Sequence, residues 1–142
     1  SRSRNVTQAM LEQGWILVSR TGTPGVVTYS RREMIGWAGS DDLIRLVPKV
    51  SLLLPGYLFS LLGSPVGYQI LLGSAHGSVQ LKLPPEYIEQ IKIPLPPISL
   101  QQEINDLIER YGESLTLASE LEDQAQDLLR SGLGMADAPF LQ

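Results

Sequence analysis

The chain has 142 residues, of which 43% are hydrophobic and 18% are charged, so it can bury a core and is not expected to be disordered throughout. It contains no cysteine, which excludes disulfides, thiolate metal sites and a cysteine nucleophile, and predicts a protein of the reducing cytoplasm. The net charge of −4 is uneven, because residues 1–100 carry nine Lys and Arg against six Asp and Glu, whereas residues 101–142 carry two against nine. This asymmetry predicts a different partner for each part.

Short strands joined by turns are predicted for the first part of the chain. Residues 14–20 and 26–30 are β-branched and aromatic runs separated by the letters TGTPG. Pro24 and Gly25 favour a turn there, so the two runs predict a hairpin. A third strand is expected over residues 43–47.

Further elements follow in chain order. Proline begins and glycine ends the segment at residues 55–62, as is typical of a short helix. Residues 68–73 fit either a helix or a strand, and residues 78–83 alternate like a strand. Residues 91–96, IKIPLP, are expected to form an edge strand, because proline cannot donate to the interior of a sheet.

The uncharged stretch at residues 50–81 is long enough to cross a bilayer. Two prolines, five glycines and eight other polar residues interrupt it, and they would leave backbone amides unpaired in lipid. We therefore expect a buried, turn-interrupted part of a soluble domain, and no membrane partner.

A long helix is predicted after the proline-rich joint. Pro97 prevents a helix before it, and Ser99 with Gln102 fits a capping box. Largely apolar residues then recur at heptad spacing, a pattern typical of a coiled coil: Ile104, Leu107, Tyr111, Ser114, Ala118, Leu121, Ala125 and Leu128. At 1.5 Å per residue the helix would span roughly 45 Å, too long to bury this stripe on a small domain, so a second helix is expected as its partner. Its acidic side chains are expected to face solvent.

Together these elements predict an α+β fold. A small mixed-sheet domain with short helices is expected at residues 1–98, one long coiled-coil-forming helix at residues 99–131, and a flexible tail at residues 132–142.

The ordered strings of the chain resemble the target-recognition domain of the DNA specificity subunit from type I restriction–modification systems. GWILVSRTGTPGVV is similar to the strand and turn of that family, and PGYLFSLLGSPVGY to its Tyr-Leu helix. AHGSVQLKLPPEYIEQIKIPLPPISLQQEI is similar to its polar strand, hydrophobic helix, Ile-Pro-Leu-Pro-Pro joint and conserved helix. The resemblance covers about residues 14–130.

The resemblance implies a non-catalytic subunit that reads one half of a bipartite double-stranded DNA site. Its long helix would set the spacing between two recognition domains and dock methyltransferase subunits, which carry S-adenosylmethionine, so no cofactor is expected in this chain. The restriction subunit is a further expected partner. Because the full subunit has two recognition domains and two long helices, we expect a C-terminal portion or a half-sized, self-associating subunit that lacks the N-terminal part of its recognition domain.

Polar and cationic side chains on the predicted turns and strands are the candidates for DNA contact, because such groups reach base edges and phosphates. They are Arg20, Thr21, Thr23, Arg31, Arg32, His76, Ser78, Gln80 and Lys82. Solvated surface charge is the competing interpretation for the arginines, and an ordinary half-exposed strand is the competing interpretation for residues 76–82. Arg31 and Arg32 are expected to be adjacent strand residues that point to opposite faces.

Trp37 is expected to be a core anchor rather than a base-stacking group. Asp41 and Asp42 have no identifiable third ligand, so turn chemistry is expected there rather than a metal site. No nucleophile with a base, phosphate loop or metal spacing is identifiable, which disfavours an enzyme. The alternative to DNA recognition is a protein-interaction module with a coiled-coil helix and no DNA binding, which the negative net charge favours.

Overall fold

The computed structural model describes residues 10–73 and 82–134. The described elements, in chain order, are β1 (Ile16–Ser19), β2 (Val27–Tyr29), a 3₁₀ turn (Arg32–Met34), β3 (Leu43–Leu46), α1 (Pro55–Leu62), α2 (Pro65–Leu72), α3 (Pro85–Ile88) and α4 (Ile98–Gly132). The predicted α+β fold is confirmed. The expected strand at residues 78–83 lies almost wholly outside the described residues, as does most of the expected tail.

The three strands form a sheet in the order β2-β1-β3. Ile16 of β1 lies between Tyr29 of β2 and Leu46 of β3. The predicted hairpin and third strand are both present. We predicted a mixed sheet, but within residues 10–73 and 82–134 both strand pairings are antiparallel, since each outer strand runs opposite to β1.

The main core lies where α1 and α2 pack with the sheet. Its buried side chains are Ile16, Val18, Tyr29, Leu58, Leu62, Leu71 and Leu83. Residues 68–73, which fitted either element, belong to α2. Gly67 allows α2 to approach α1, because a Cβ there would overlap the carbonyl oxygen of Leu61.

The long helix α4 has 35 residues and begins at Ile98, one residue before the predicted start. The predicted capping box was wrong: Pro97 is the N-cap, and its side chain makes no capping hydrogen bond. The Pro97 carbonyl accepts the N–H groups of Leu100 and Gln101 at 3.0 and 3.2 Å. Because the helix begins at Ile98, Ser99 lies inside the first turn and does not occupy the N-cap position.

The predicted edge strand at residues 91–96 was also wrong, since these residues pair with no strand in the described chain. Side chains donate hydrogen bonds to the carbonyl groups of this segment instead. Tyr57 Oη donates to Pro94 O at 2.8 Å, and Gln101 Nε2 donates to Pro96 O at 3.1 Å. Prolines remove the backbone donors that a second strand would need.

Trp37 is not a core anchor, because 57% of it is exposed. Its backbone serves the fold: the Trp37 carbonyl accepts the N–H of Leu11 at 2.9 Å, and Leu11 is buried. Across residues 10–73 and 82–134, no helix combines the length and the apolar character needed to span a bilayer.

Candidate nucleic-acid interface and spacer helix

The turn between β1 and β2 is held in one conformation by its own polar groups. Gly22 and Gly25 take φ values of 72° and 85°, which other residues rarely adopt. The Ser19 hydroxyl donates to the Thr23 carbonyl, and Ser19 Oγ accepts the N–H of Val26 at 2.9 Å. The turn therefore presents its exposed side chains from a fixed backbone.

The loop before β3 is tied to this turn. Arg20 N donates to Asp42 O at 2.8 Å, and Thr21 Oγ1 donates to Asp42 Oδ1 at 2.7 Å. Within the described residues, the Arg20 guanidinium makes only a long contact of 3.5 Å to the Asp41 carbonyl, and its Nε has no partner. No set of three His, Cys, Asp or Glu side chains in those same ranges could hold a metal ion. Asp42 is thus a structural acceptor of the turn.

Residues 82–83 complete this end of the sheet. Thr21 pairs with Lys82 in an isolated bridge, and Leu83 N donates to Arg20 O at 2.8 Å. Four of the predicted DNA-contact residues therefore lie together, and we call Arg20, Thr21, Thr23 and Lys82 the turn cluster. The other three candidates of this region, His76, Ser78 and Gln80, lie outside the described residues.

Arg31 and Arg32 lie at the opposite end of the sheet. They follow β2 and enter the 3₁₀ turn, so the prediction that they are adjacent strand residues was wrong. Arg31 Nη1 lies 3.0 Å from Glu33 Oε1, and Arg32 Nη2 lies 3.6 Å from Glu120 Oε1 on α4. Both arginines have acidic partners beside the long helix, and they share no surface with the turn cluster.

We call the described residues before α4, 10–73 and 82–97, the body. The face of α4 that contacts the body is polar, and the heptad pattern did not predict this polar face. Its buried residues are Gln101, Asn105, Gly112 and Thr116. Gln101 Oε1 accepts the N–H of Leu54 at 3.1 Å, and Asn105 Oδ1 accepts the N–H of Gly56 at 2.8 Å. Because the first N–H groups of a helix have no partner within it, these two amides cap α1 from α4. Polar amides four residues apart, directly after the prolines, were the signal in the sequence.

Gly56 sets the distance between α1 and α4. A Cβ at this position would lie 2.7 Å from Asn105 Cα and 3.0 Å from Ile108 Cβ. Only glycine therefore allows the two helices to cross this closely, and the crossing attaches the first turns of α4 firmly to the body.

The predicted apolar stripe of α4 lies largely at the surface. Leu107, Leu121 and Leu128 are 61%, 55% and 74% exposed. Ile104 is partly buried, and Ala118 and Ala125 are exposed. Tyr111 stacks on Phe59 of α1 at 6.3 Å between ring centroids, so the body shares this one position of the stripe. The pairing of the stripe residues with a second helix stays a prediction.

Two acidic residues of α4 have partners on the body, although the sequence predicted a solvated face. Glu120 pairs with Arg32, as above, and Glu109 Oε1 accepts the hydroxyl of Tyr29 at 3.2 Å. Burial, the charge of Glu109 and this hydrogen bond raise the pKa of Tyr29 to about 12. The protonated phenol is therefore the form that the folded state favours.

Glu33 joins the 3₁₀ turn to the middle of α4. Its Oε2 accepts the hydroxyl of Thr116 at 2.6 Å. Burial opposes ionisation, but the bond from Thr116, its own backbone N–H and the charges of Arg31 and Arg32 together hold the pKa of Glu33 below its usual value. The carboxylate is thus ionised where it meets the helix.

The sequence profile described as type I restriction modification DNA specificity domain matches residues 4–126. The chain belongs to this family. The resemblance drawn from the ordered strings is confirmed, and the domain is one whose family is defined by DNA specificity rather than by catalysis.

A structural comparison agrees with the assignment of the specificity domain at the level of fold. A solved chain from work on complex assembly and conformational transition of the type I R-M system matches it with a TM-score of 0.59 at 19% identity. The match covers 94% of this chain and 36% of that chain, so the specificity domain spans about a third of the solved chain's length. No curated protein matches.

Proposed function

We propose that this specificity domain reads one half of a bipartite DNA site within a type I restriction–modification complex. The turn cluster contacts the DNA, and α4 is the spacer that joins the domain to a second recognition half. The family match over residues 4–126 carries the proposal. The methyltransferase subunits that dock on the complex carry S-adenosylmethionine, and the restriction subunit is a further partner.

The geometry of the turn cluster supports DNA contact at this end of the sheet. Thr23 and Lys82 are exposed, and the partly exposed Arg20 lies beside them, with Nη1 3.5 Å from the Asp41 carbonyl. Hydroxyl and cationic groups on a backbone with fixed turns are suited to phosphates and base edges. The acidic α4 would be repelled by phosphates, which keeps the DNA on the body.

The far part of α4 supports the role of a spacer. From Leu121 to Gly132 every residue is exposed. The apolar stripe continues through this part with Leu121 and Leu128, which suits pairing with a second long helix from another copy or another recognition half. A stiff rod is the element that can fix the separation of two half-sites.

Reconstitution with a methyltransferase subunit, followed by footprinting and binding at several salt concentrations, tests the function. We expect Lys82→Ala to weaken DNA binding and lower the slope of log K against log salt by about 1. Lys49→Ala, which removes an exposed lysine from the loop after β3, is the matched control and should leave both unchanged. A wild-type complex that protects no specific DNA site would contradict the proposal.

An assembly module without DNA binding is the second candidate. Asp41 and Asp42 lie beside Arg20, so the turn cluster is not strongly cationic. This candidate predicts that the domain assembles with the methyltransferase subunits. It also predicts that the complex binds DNA with the same affinity whether or not the domain is present.

A further inference from the structure

The long helix contacts the body at several places between Gln101 and Glu120, and two of these contacts are made by buried polar side chains of the helix. The first is the crossing with α1, where Asn105 meets Gly56. The second is the segment after β2, where Glu33 meets Thr116. Eleven residues separate Asn105 from Thr116, which corresponds to about 16 Å along the helix axis. A contact at one point would leave the helix free to pivot. Contacts at this separation define its direction, together with the Tyr29–Glu109 bond and the Phe59–Tyr111 stack that lie between them.

The second contact is made by directed polar bonds. Thr116 is only 8% exposed, and its Oγ1 lies 2.6 Å from Glu33 Oε2 and 3.1 Å from Gly112 O, two acceptors for a single hydroxyl hydrogen. The carboxylate receives it, because hydrogen bonds to an ionised acceptor are shorter and stronger. Arg31 Nη1 lies 3.0 Å from the other oxygen, Glu33 Oε1, and forms an ion pair with the carboxylate without the geometry of a hydrogen bond.

Apolar packing contributes little at this second contact. A cleft of about 390 Å³ lies between the body and α4, and its lining includes Arg31, Glu109, Gly112 and Thr116. At Gly112 even an added Cβ would come no closer than 3.9 Å to Arg31 Cγ. The bonds from Tyr29 to Glu109 and from Thr116 to Glu33, two helical turns apart on α4, therefore span a gap into which the helix could otherwise tilt.

We propose that Glu33, acting through Thr116, is a positioning residue that fixes the angle between the recognition body and α4, and thereby the DNA spacer length that the complex accepts. The spacer-length part rests on the function proposed above. A pivot of about 10° at Asn105 would separate Thr116 from Glu33 by a further ~3 Å and break their bond. The same pivot would move the helix end at Gly132, about 40 Å from Asn105, by ~7 Å, which equals about two base-pair steps.

A spin-label distance measures the angle without DNA. The chain has no cysteine, so Ser51→Cys on the body and Gln124→Cys on α4, both exposed positions, give one label pair. Labelled chain is diluted into an excess of unlabelled chain so that only distances within one molecule are read. We expect one narrow distance distribution in the otherwise wild-type protein, and in Thr116→Val a distribution that is broader or shifted by about 5 Å.

Two further variants make the test specific. Ser114→Ala is the matched control, since it removes a hydroxyl that is exposed and bonds within the helix to Arg110 O at 2.8 Å. It should leave the distance unchanged. Glu33→Gln keeps an acceptor oxygen for Thr116 and should restore most of the narrow distribution that Glu33→Ala loses. Glu33→Ala also carries the test if Thr116→Val does not fold.

DNA then tests the consequence for spacing. The reconstituted wild-type and Thr116→Val complexes are compared on duplexes whose spacer is one to three base pairs shorter or longer, and we expect the variant to lose its preference for a single length. An unchanged spin-label distance in Thr116→Val would overturn the inference about the angle. An unchanged spacer preference in this variant would overturn the inference about spacing. A wild-type complex that binds no DNA overturns the proposed function and the spacing inference, whereas the spin-label result still decides the angle.

Discussion

Asn105 Oδ1 accepts the backbone N–H of Gly56 at 2.8 Å, so the group that caps α1 belongs to another helix, 49 residues further along the chain. The bond joins α1 to the long helix at the point where the two helices cross. It also explains why a polar side chain is buried on a helix whose apolar side chains are largely exposed.

Loss of this cap should destabilise the protein. Asn105→Ala leaves the buried N–H of Gly56 without a partner, and we expect a loss of about 1–3 kcal/mol in the free energy of unfolding. Gln102→Ala, which removes an exposed amide from the same helix, should change it by less than about 0.5 kcal/mol. Urea denaturation followed by circular dichroism measures both, and equal effects would show that the cap is not important.

Alanine at two glycines should act in opposite directions. At Gly56 a Cβ would lie 2.7 Å from Asn105 Cα, so the helices must separate, and we expect Gly56→Ala to cost about 1–3 kcal/mol. At Gly112 a Cβ would meet only Arg31 Cγ, at 3.9 Å. Gly112→Ala should therefore stabilise the protein by about 0.5–1 kcal/mol through helix propensity. The unfolding temperatures of the two variants show whether each substitution stabilises or destabilises the protein. A stabilising Gly56→Ala would contradict the close crossing of the two helices.

Tyr29 should make the protein sensitive to alkali. Its pKa is raised from 10.0 to about 12 by burial, by the charge of Glu109 and by their hydrogen bond. Because the folded state holds the proton more tightly than the unfolded state, this stabilisation is complete below pH 10 and is lost as the pH rises towards 12. The unfolding temperature of the wild type should fall more steeply between pH 9 and 12 than that of Tyr29→Phe. Parallel curves would be evidence against the raised pKa.

The exposed stripe of α4 should drive self-association. Leu121 and Leu128 lie beyond the last described contact with the body, and their burial against a second helix would remove apolar area from water. We expect Leu121→Glu with Leu128→Glu to shift the chain from dimer to monomer in sedimentation equilibrium. Gln124→Glu adds the same type of charge at an exposed position outside the stripe and should leave the dimer intact. A monomeric wild type would contradict this prediction.

Local signals in the sequence predicted several elements of the fold, although the strand expected at residues 91–96 is absent and residues 68–73 fitted either a helix or a strand. The TGTPG turn between two β-branched runs predicted the β1–β2 hairpin, and proline before and glycine after residues 55–62 predicted α1. A stretch without proline and with few glycines predicted α4 to within one residue at each end. The ordered strings carried the family, because each string combines an element with its own turn chemistry.

Only the tertiary structure decided which groups meet. Arg31 and Arg32 lie beside α4, opposite Glu33 and Glu120, rather than with the turn cluster. Heptad counting selects apolar faces, whereas the face that α4 turns to the body is formed by the amides of Gln101 and Asn105. Those amides are matched to unpaired N–H groups at the start of α1, and that match exists only once two segments nearly fifty residues apart have been brought together.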